Sequence, residues 1–375
     1  MSGAADDARF MAAAIELSLK HLGQTSTNPS VGCLIVKDGV VVGRGVTAKG
    51  GRPHAEALAL NDAGEAARGA TAYVTLEPCS HHGKTPPCAN ALVAAGIARV
   101  VVAVTDPDER VSGRGLKILR DAGIEVTSSV LEEEGRCALA GYLTRQTKGR
   151  PYVILKLAVS ADGMIGRRGE GQVAITGPMA RNQVQLLRSV TDAILVGVGT
   201  AMVDDPELTV RLEGLEDRSP IRIVLDRRLE LPIGSKLART AREVPVIVVC
   251  GALAPVPEDR VSEAAGPDNR AARKAALEAM GVEVLEAPDL DCLLLGLASR
   301  GISSLLVEGG ARVAADFLAA DLVDEIDLYQ GDVSVGPDGI ASPVTRETIP
   351  QTFRPLRSQH LGSDRLDIFE RVRKD

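Results

Sequence analysis

The sequence predicts an α/β protein in two parts, and three observations carry that reading. The chain has 375 residues, more than a single hydrophobic core usually organises. Short apolar runs alternate with helical patterns along most of its length, as expected of sheets covered by helices. The polar segment QTKGRP (146–151), with Gly149 and Pro151, divides that alternation into two series. Hydrophobic residues make up 45% and charged residues 25% of the chain, which excludes a disordered chain or a fibre.

In the first series, CLIV (33–36) and VVVG (40–43) flank Asp38 and Gly39 and read as a hairpin. Residues 55–67 are rich in Ala and Leu and read as a helix, followed by the strand TAYVTL (71–76). ANALVAAG (89–96) reads as a helix closed by Gly96. ARVVVAVTD (98–106) is a continuous apolar run and therefore a buried strand. GLKILRDAG (115–123) and EEEGRCALAGYLTRQ (132–146) supply further helices around one mixed sheet. In the second series, YVILKLAVS (152–160) is a strand and PMARNQVQLLRSV (178–190) a helix. DAILVGVGT (192–200) runs from a strand into a Gly-rich turn, and IRIVLD (221–226), VPVIVVC (244–250) and SSLLVEGG (303–310) are further strands. Residues 252–275 read as a surface excursion leading into a helix. The expected domains are 1–147 and 151–375.

Composition limits function. Lys and Arg number 43 against 50 acidic residues, a net charge of −7, which is a poor basis for coating DNA. Four Tyr, four Phe and no Trp leave little for stacking bases of a single strand. The N-terminus carries acidic residues early and does not read as a secretory signal. No apolar run has the length of a membrane span, so the expected location is the cytoplasm. Six Cys in a reducing compartment point to metal, catalysis or burial rather than disulfides.

Three of the five His residues lie between positions 54 and 82. The run His54-Ala55-Glu56 is followed by Glu77-Pro78-Cys79 and by Pro86-Pro87-Cys88. His54, Cys79 and Cys88 are suitable ligands for a tetrahedral zinc that keeps one position for water. Zinc lowers the pKa of such a water to roughly 7. Glu56, two residues after His54 at a helix start, can face that water without ligating the metal and pass its proton to a leaving amine. This is the arrangement of base deaminases, here with the Cys pair eight residues apart instead of two. The intervening His81, His82 and Lys84 could contact an anionic substrate. A structural zinc site with His81 or His82 as fourth ligand is the alternative. Cys33, Cys137, Cys250 and Cys292 read as packing residues.

The second half offers weaker signals for a phosphorylated ligand and a nucleotide. VEGG (307–310) ends a strand before a helix at 311–318, where free backbone N–H groups can face phosphate. GVGT (197–200) is similar, and neither is a dinucleotide fingerprint. Arg188 and Arg211, the latter closing the polar run 204–211, could hold a phosphate by forked hydrogen bonds. Solvated surface arginines are the alternative.

Taken together, NPSVGC (28–33), HAE (54–56), TLEPCSHHGKTPPC (75–88), LKLAVSADG (155–163), DDPELTVR (204–211) and VEGG (307–310) resemble, in order, the bifunctional deaminase/reductase family of riboflavin biosynthesis. The resemblance implies an N-terminal cytidine-deaminase-like αβα sandwich with a mixed sheet and a C-terminal dihydrofolate-reductase-like α/β domain. It implies zinc-dependent deamination of 2,5-diamino-6-ribosylamino-4(3H)-pyrimidinone 5′-phosphate. NADPH-dependent reduction of the ribosyl group to ribityl follows. His54, Cys79 and Cys88 match the family's zinc ligands, and Glu56 its proton shuttle. Ala158, Ala174, Thr200, Asp204, Gly310, Ala311 and Arg312 match NADPH contacts. Gln172, Arg188, Leu208, Arg211 and Glu308 match substrate contacts, and Lys156 lies in a matching strand. The sequence departs from the family pattern at Thr47, at Gln172-Val173-Ala174, at Arg227 and over 329–336. The implied partner is a small phosphoribosyl pyrimidine, with no nucleic acid or membrane, and the implied assembly a homo-oligomer. Three competing readings are an RNA-editing zinc deaminase with an unrelated second domain, a non-catalytic zinc module, and a deaminase whose reductase has decayed.

Overall fold

A computed structural model describes residues 2–80, 86–108, 111–169, 171–251 and 267–372. The chain forms two units, Met1–Arg150 and Pro151–Asp375.

The first unit is built on a five-stranded mixed sheet of order β2-β1-β3-β4-β5. Its strands are β1 (Gly32–Lys37), β2 (Val40–Val46), β3 (Thr71–Leu76), β4 (Arg99–Val104) and β5 (Glu125–Thr127). The β1–β2 hairpin closes on Asp38 and Gly39, both at positive φ (50° and 76°), as a tight two-residue turn requires. The helices are α1 (Ser2–Ser18), α2 (Ala55–Ala63), α3 (Cys88–Ala94), α4 (Arg114–Asp121), α5 (Glu132–Ala138) and α6 (Ala140–Lys148). α1 and α5 pack against one sheet face, and α2, joined by α3 and α4, against the other. The core is aliphatic, drawn from Met11, Ile35, Val74, Leu92, Val101 and Leu119 among others.

α2 lies so close to β2 that a Cβ on Gly45 would sit 2.0 Å from the Ala55 carbonyl oxygen. Only glycine permits that approach. It fixes the helix start at which His54 and Glu56 sit.

The second unit carries a nine-stranded sheet of order β11-β10-β9-β8-β12-β6-β13-β16-β15 and a separate β14-β7 pair. The strands are β6 (Tyr152–Val159), β7 (Met164–Arg167), β8 (Ala193–Gly197), β9 (Ile221–Leu225), β10 (Val246–Cys250), β11 (Glu283–Glu286), β12 (Ser304–Val307), β13 (Glu325–Gln330), β14 (Gly339–Ala341), β15 (Phe353–Leu361) and β16 (Asp364–Arg371). All neighbours from β11 to β13 pair parallel, and only β16 is reversed, pairing antiparallel with both β13 and β15. The helices are α7 (Pro178–Ser189), α8 (Val198–Asp204), α9 (Lys236–Arg239), α10 (Pro267–Ala279), α11 (Leu290–Ser299) and α12 (Ala311–Ala319). α11 and α12 bury Leu293, Leu294 and Phe317 on one face of the sheet. α8, α9 and α10 bury Ala201, Leu237 and Leu277 on the other.

Several local expectations change. The single helix expected over 132–146 is two, broken at Leu139 (φ −103°, ψ 9°). Its second half runs on to Lys148, so the polar stretch after Gln146 is still helical. The turn expected at 197–200 is instead the first turn of α8, which carries Thr200 and Asp204. The N-terminus, read only for a signal, forms α1 and buries Phe10, Met11, Ala14 and Ile15. Cys33 and Cys250 are buried as expected, but Cys137 and Cys292 are exposed on helices. The excursion at 252–266 lies outside the described residues.

Candidate functional site

In the first unit, His54 is the N-cap residue of α2 and Glu56 falls in its first turn. Cys79 follows β3, and Cys88 opens α3. The Cys88 backbone N–H donates to the Cys79 sulfur at 3.3 Å, and the Ala89 N–H to the Cys79 carbonyl at 3.2 Å. The start of α3 thus fixes both cysteines at once. His54 Nδ1 lies 3.7 Å from Cys79 Sγ and 3.4 Å from Cys88 Sγ, and the three ligand atoms lie within 4.8 Å of one another. Zinc held at ordinary bond lengths in a tetrahedron gives N···S edges of about 3.6 Å. The donor set and its spacing therefore fit zinc, and among the described residues these three are the ligands. His81, His82 and Lys84 lie outside the described residues.

Charge within this cluster follows position. Hydrogen bonds from Cys88 and from His54 hold the Cys79 thiol down, to about 4, against the cost of burial. The hydrogen bond to Cys79 and burial push the Cys88 thiol up, and the bond to Cys79 raises His54. Glu56 is 4% exposed. Burial, with the Cys79 charge nearby, lifts its carboxyl to about 7. A cavity of about 320 Å³ opens beside these groups, lined among others by Asn28, Thr47, Arg52, Asp106 and Tyr142.

Two supporting carboxylates were not anticipated from sequence. Glu77 accepts backbone N–H groups of Gly113 (3.0 Å), Gly115 (2.9 Å), Leu116 (3.3 Å) and Asp106 (3.4 Å). It ties the strand end that carries Cys79 to the N-terminus of α4, where a carboxylate is favoured. Asp106 accepts the Tyr142 hydroxyl at 3.0 and 3.1 Å, and burial lifts its carboxyl to about 6. The only sequence signal for Glu77 was its place in the 75–88 motif; Asp106 had none beyond ending a strand.

In the second unit, a cavity of about 940 Å³ lies at the carboxyl ends of β6, β8, β9 and β12, where parallel sheets place ligands. Ala158, Gln172, Ala174, Arg188, Thr200, Asp204, Leu208, Arg211, Glu308, Gly310, Ala311 and Arg312 all line it, as do Lys156 and Arg227. The starts of α8 and α12 meet there. Gly310 caps α12, and a Cβ on it would stand 3.2 Å from Thr200 Oγ1. That close backbone cradle beside a helix N-terminus, in a cavity of dinucleotide size, fits NADPH. Leu208 is held at φ 55°, a strained conformation for a branched residue, by a loop anchored from below. The fully buried Arg222 donates to the Glu207 carbonyl at 3.1 Å and to Thr240.

Arg188 is differently employed than its sequence suggests. Its Nε and Nη2 donate to Glu308 at 2.7 and 3.1 Å, and its Nη1 to the Thr209 carbonyl at 3.3 Å. The fork expected to face phosphate here grips Glu308, and Lys156 Nζ approaches the same carboxylate at 3.6 Å. Burial alone would raise the Glu308 carboxyl, but Arg188 and Lys156 outweigh it and hold it at about 2. Arg211 is exposed and pairs with Glu207 at 3.2 Å.

Residues 4–104 match the model of the cytidine and deoxycytidylate deaminase zinc-binding region, and residues 151–366 that of the RibD C-terminal domain. The chain is 39% identical over 371 residues to the riboflavin biosynthesis protein RibD of Aquifex aeolicus, covering 97% of this chain and 98% of the relative. It is 40% identical over 374 residues to that of Escherichia coli, covering 96% and 97%. Among solved structures, Acinetobacter baumannii RibD superposes with a TM-score of 0.84 at 36% identity, covering 99% and 100% of the two chains. The deaminase/reductase of Thermotoga maritima superposes with a TM-score of 0.83 at 34% identity, covering 98% and 99%.

Proposed function

Because the chain belongs to the RibD family, the bifunctional deaminases and reductases of riboflavin biosynthesis, we propose that it houses one activity per unit. Deamination is assigned to residues 1–147 and reduction to 151–375. The family's two reactions are hydrolytic loss of the pyrimidine 2-amine and NADPH-dependent conversion of ribosyl to ribityl. The observation that carries the assignment is the clustering of the His54, Cys79 and Cys88 ligand atoms beside one small cavity that His54, Glu56 and Cys79 line.

His54, Cys79 and Cys88 would hold the zinc, which when bound supplies a Lewis acid and an activated water. Glu56 is the proton carrier. A carboxyl near neutrality can take a proton from the attacking water and deliver it to the departing amine in the same turnover.

In the second cavity, the Gly310 turn with Ala311 and Arg312, together with Ala158, Ala174, Thr200 and Asp204, would hold NADPH, which supplies a hydride to ribosyl C1′. Gln172, Leu208, Arg211 and Glu308 would hold the substrate. Arg188, which also orients Glu308, would join them, and Arg211 at the rim would meet the phosphate. Full-length relatives with both reactions favour this reading over an editing deaminase, and the acidic charge favours a free nucleotide over nucleic acid. No described helix is long and apolar enough to cross a membrane, in keeping with a cytoplasmic enzyme. The family resemblance also supports a homo-oligomer, which sedimentation would test.

The test is one reaction with zinc-loaded protein, the diaminopyrimidine ribosyl phosphate and NADPH, recording ammonia and NADPH together. Ammonia release followed by NADPH oxidation is the expected course. NADPH oxidation preceding ammonia, or no ammonia at all, overturns the assignment.

A further inference from the structure

Arg227 and Arg228 have no role in the two proposed reactions, yet both line the reductase cavity. They sit in the turn after β9. The sheet places that turn relative to the reacting groups. Lys156 is on β6 and Glu308 follows β12, while β8 lies between β12 and β9. Val307 of β12 pairs with Leu195 of β8, and Gly197 of β8 with Leu225 of β9. Three strand spacings of about 4.8 Å thus separate β6 from β9, and the Gly310 cradle lies between them. A dinucleotide whose reactive end meets the substrate beside Glu308 therefore reaches past Gly310 toward Arg227. Arg312, in the first turn of α12, lines the same cavity.

The turn is built to hold its arginines in place. Asp226 is fully buried, and its carboxylate accepts the Leu231 N–H at 2.8 Å. Its backbone N–H donates to the Val249 carbonyl of β10 at 2.9 Å, and its carbonyl accepts the Leu229 N–H at 3.2 Å. Arg273 of α10 donates to the Arg228 carbonyl at 3.4 Å. A backbone fixed from both sides presents its side chains with less ordering left for a ligand to impose.

Charge on this wall is uneven. Glu230 approaches Arg228 at 3.8 Å, and Asp316 lies one turn beyond Arg312 in α12. Burial, with the like charges of Arg312 and Arg228, holds the half-buried Arg227 guanidinium below its ordinary value, against the pull of Asp316. Cations gathered in one wall repel each other, and an anion bound among them turns that cost into attraction. NADPH and NADH differ by one phosphate monoester, on the 2′-oxygen of the adenosine. In a chain of net charge −7, that dianion gains only where cations stand within a Debye length, about 8 Å. A guanidinium fork also matches its oxygens in shape. We propose that Arg227, in the field of Arg312, binds the 2′-phosphate of NADPH and thereby selects NADPH over NADH. Arg227 stands where the sequence departs from the family pattern, so the device is this chain's own. The proposal rests on the reading of this cavity as the reductase site.

The test is calorimetric binding to the full-length protein, without turnover. The probes are NADPH, NADH, and the fragments adenosine 2′,5′-bisphosphate and ADP. Native protein should bind NADPH about tenfold or more tightly than NADH, and the bisphosphate ahead of ADP by a similar factor. Arg227→Gln should weaken NADPH and the bisphosphate about tenfold, with NADH and ADP within about twofold of native. Arg227→Glu should place NADH ahead of NADPH. Added salt should narrow the native preference and leave that of Arg227→Gln nearly flat. Equal losses for NADPH and NADH in Arg227→Gln, or native NADPH affinity in both variants, overturn the assignment. Native protein that binds NADPH and NADH alike sinks the 2′-phosphate contact and leaves the cavity reading standing. Native protein that binds neither dinucleotide overturns both.

Discussion

Glu56 and Glu308 are the same residue type, each buried beside a candidate active site, and the protein shifts their carboxyls in opposite directions. Burial, with the Cys79 charge nearby, lifts Glu56 to about 7. Glu308 lies between Arg188 and Lys156, which overcome the same burial and hold it at about 2. The first can therefore exchange a proton near neutral pH, while the second is a fixed anion that orients cations. Burial alone does not decide a carboxyl's role; the charges buried with it do.

The sharpest way to break this contrast is Glu56→Gln. Ammonia release should fall about a thousandfold while metal analysis still finds one zinc and NADPH-dependent reduction of deaminated substrate proceeds. Loss of zinc with the rate would make Glu56 a structural residue.

Next in size is Glu308→Gln, which leaves two buried cations without their anion and should cost about 3 kcal/mol of stability. Because Glu308 is held below its ordinary value, its stabilisation is full above about 4.5 and is lost as the pH falls toward about 2. Denaturant melts of native and variant protein should accordingly differ most at neutral pH and converge in acid. A gap that stays constant with pH would mean the carboxylate charge is not what holds the trio.

Glu77→Gln turns an amide N–H₂ toward backbone donors that a carboxylate satisfied. It should cost about 2 kcal/mol and speed zinc loss to a chelator, with Glu56 untouched. The smallest effect is expected for Arg211→Ala. Its exposed pair with Glu207 contributes within about 0.5 kcal/mol to stability, so the melting curve should hardly move. KM for the phosphoribosyl substrate should rise about tenfold if this arginine meets the phosphate. An unchanged KM would return the phosphate to another cation of the cavity.

The two regions also differed in how much could be read from sequence. The zinc cluster and Glu56 lie within residues 54–88, on a helix start, a strand end and a second helix start, and each side chain's chemistry was visible from local spacing. The Glu308 trio joins β6, α7 and the end of β12, with 120 residues between Arg188 and Glu308. No local pattern announces such a partnership, so Arg188 read as a phosphate ligand. α1 was missed for a different reason. Its buried stripe of Phe10, Met11, Ala14 and Ile15 has helical spacing, but it is short of strong capping signals. The break at Leu139 was illegible because good helix formers flank it on both sides and neither Gly135 nor Gly141 stands at the break itself. Gly135 must lie against Ala103 and Val104, where a Cβ would come within 2.9 Å of each, and that constraint exists only in three dimensions.

The contact between Gly45 and the Ala55 carbonyl has a genetic meaning. No side chain at position 45 touches the reaction, yet every substitution there must displace the helix that presents His54 and Glu56. Substitution at codon 45 is therefore expected to cost deamination from a position that never meets the substrate. Riboflavin auxotrophs selected for lost deamination would include alleles at this silent-looking glycine.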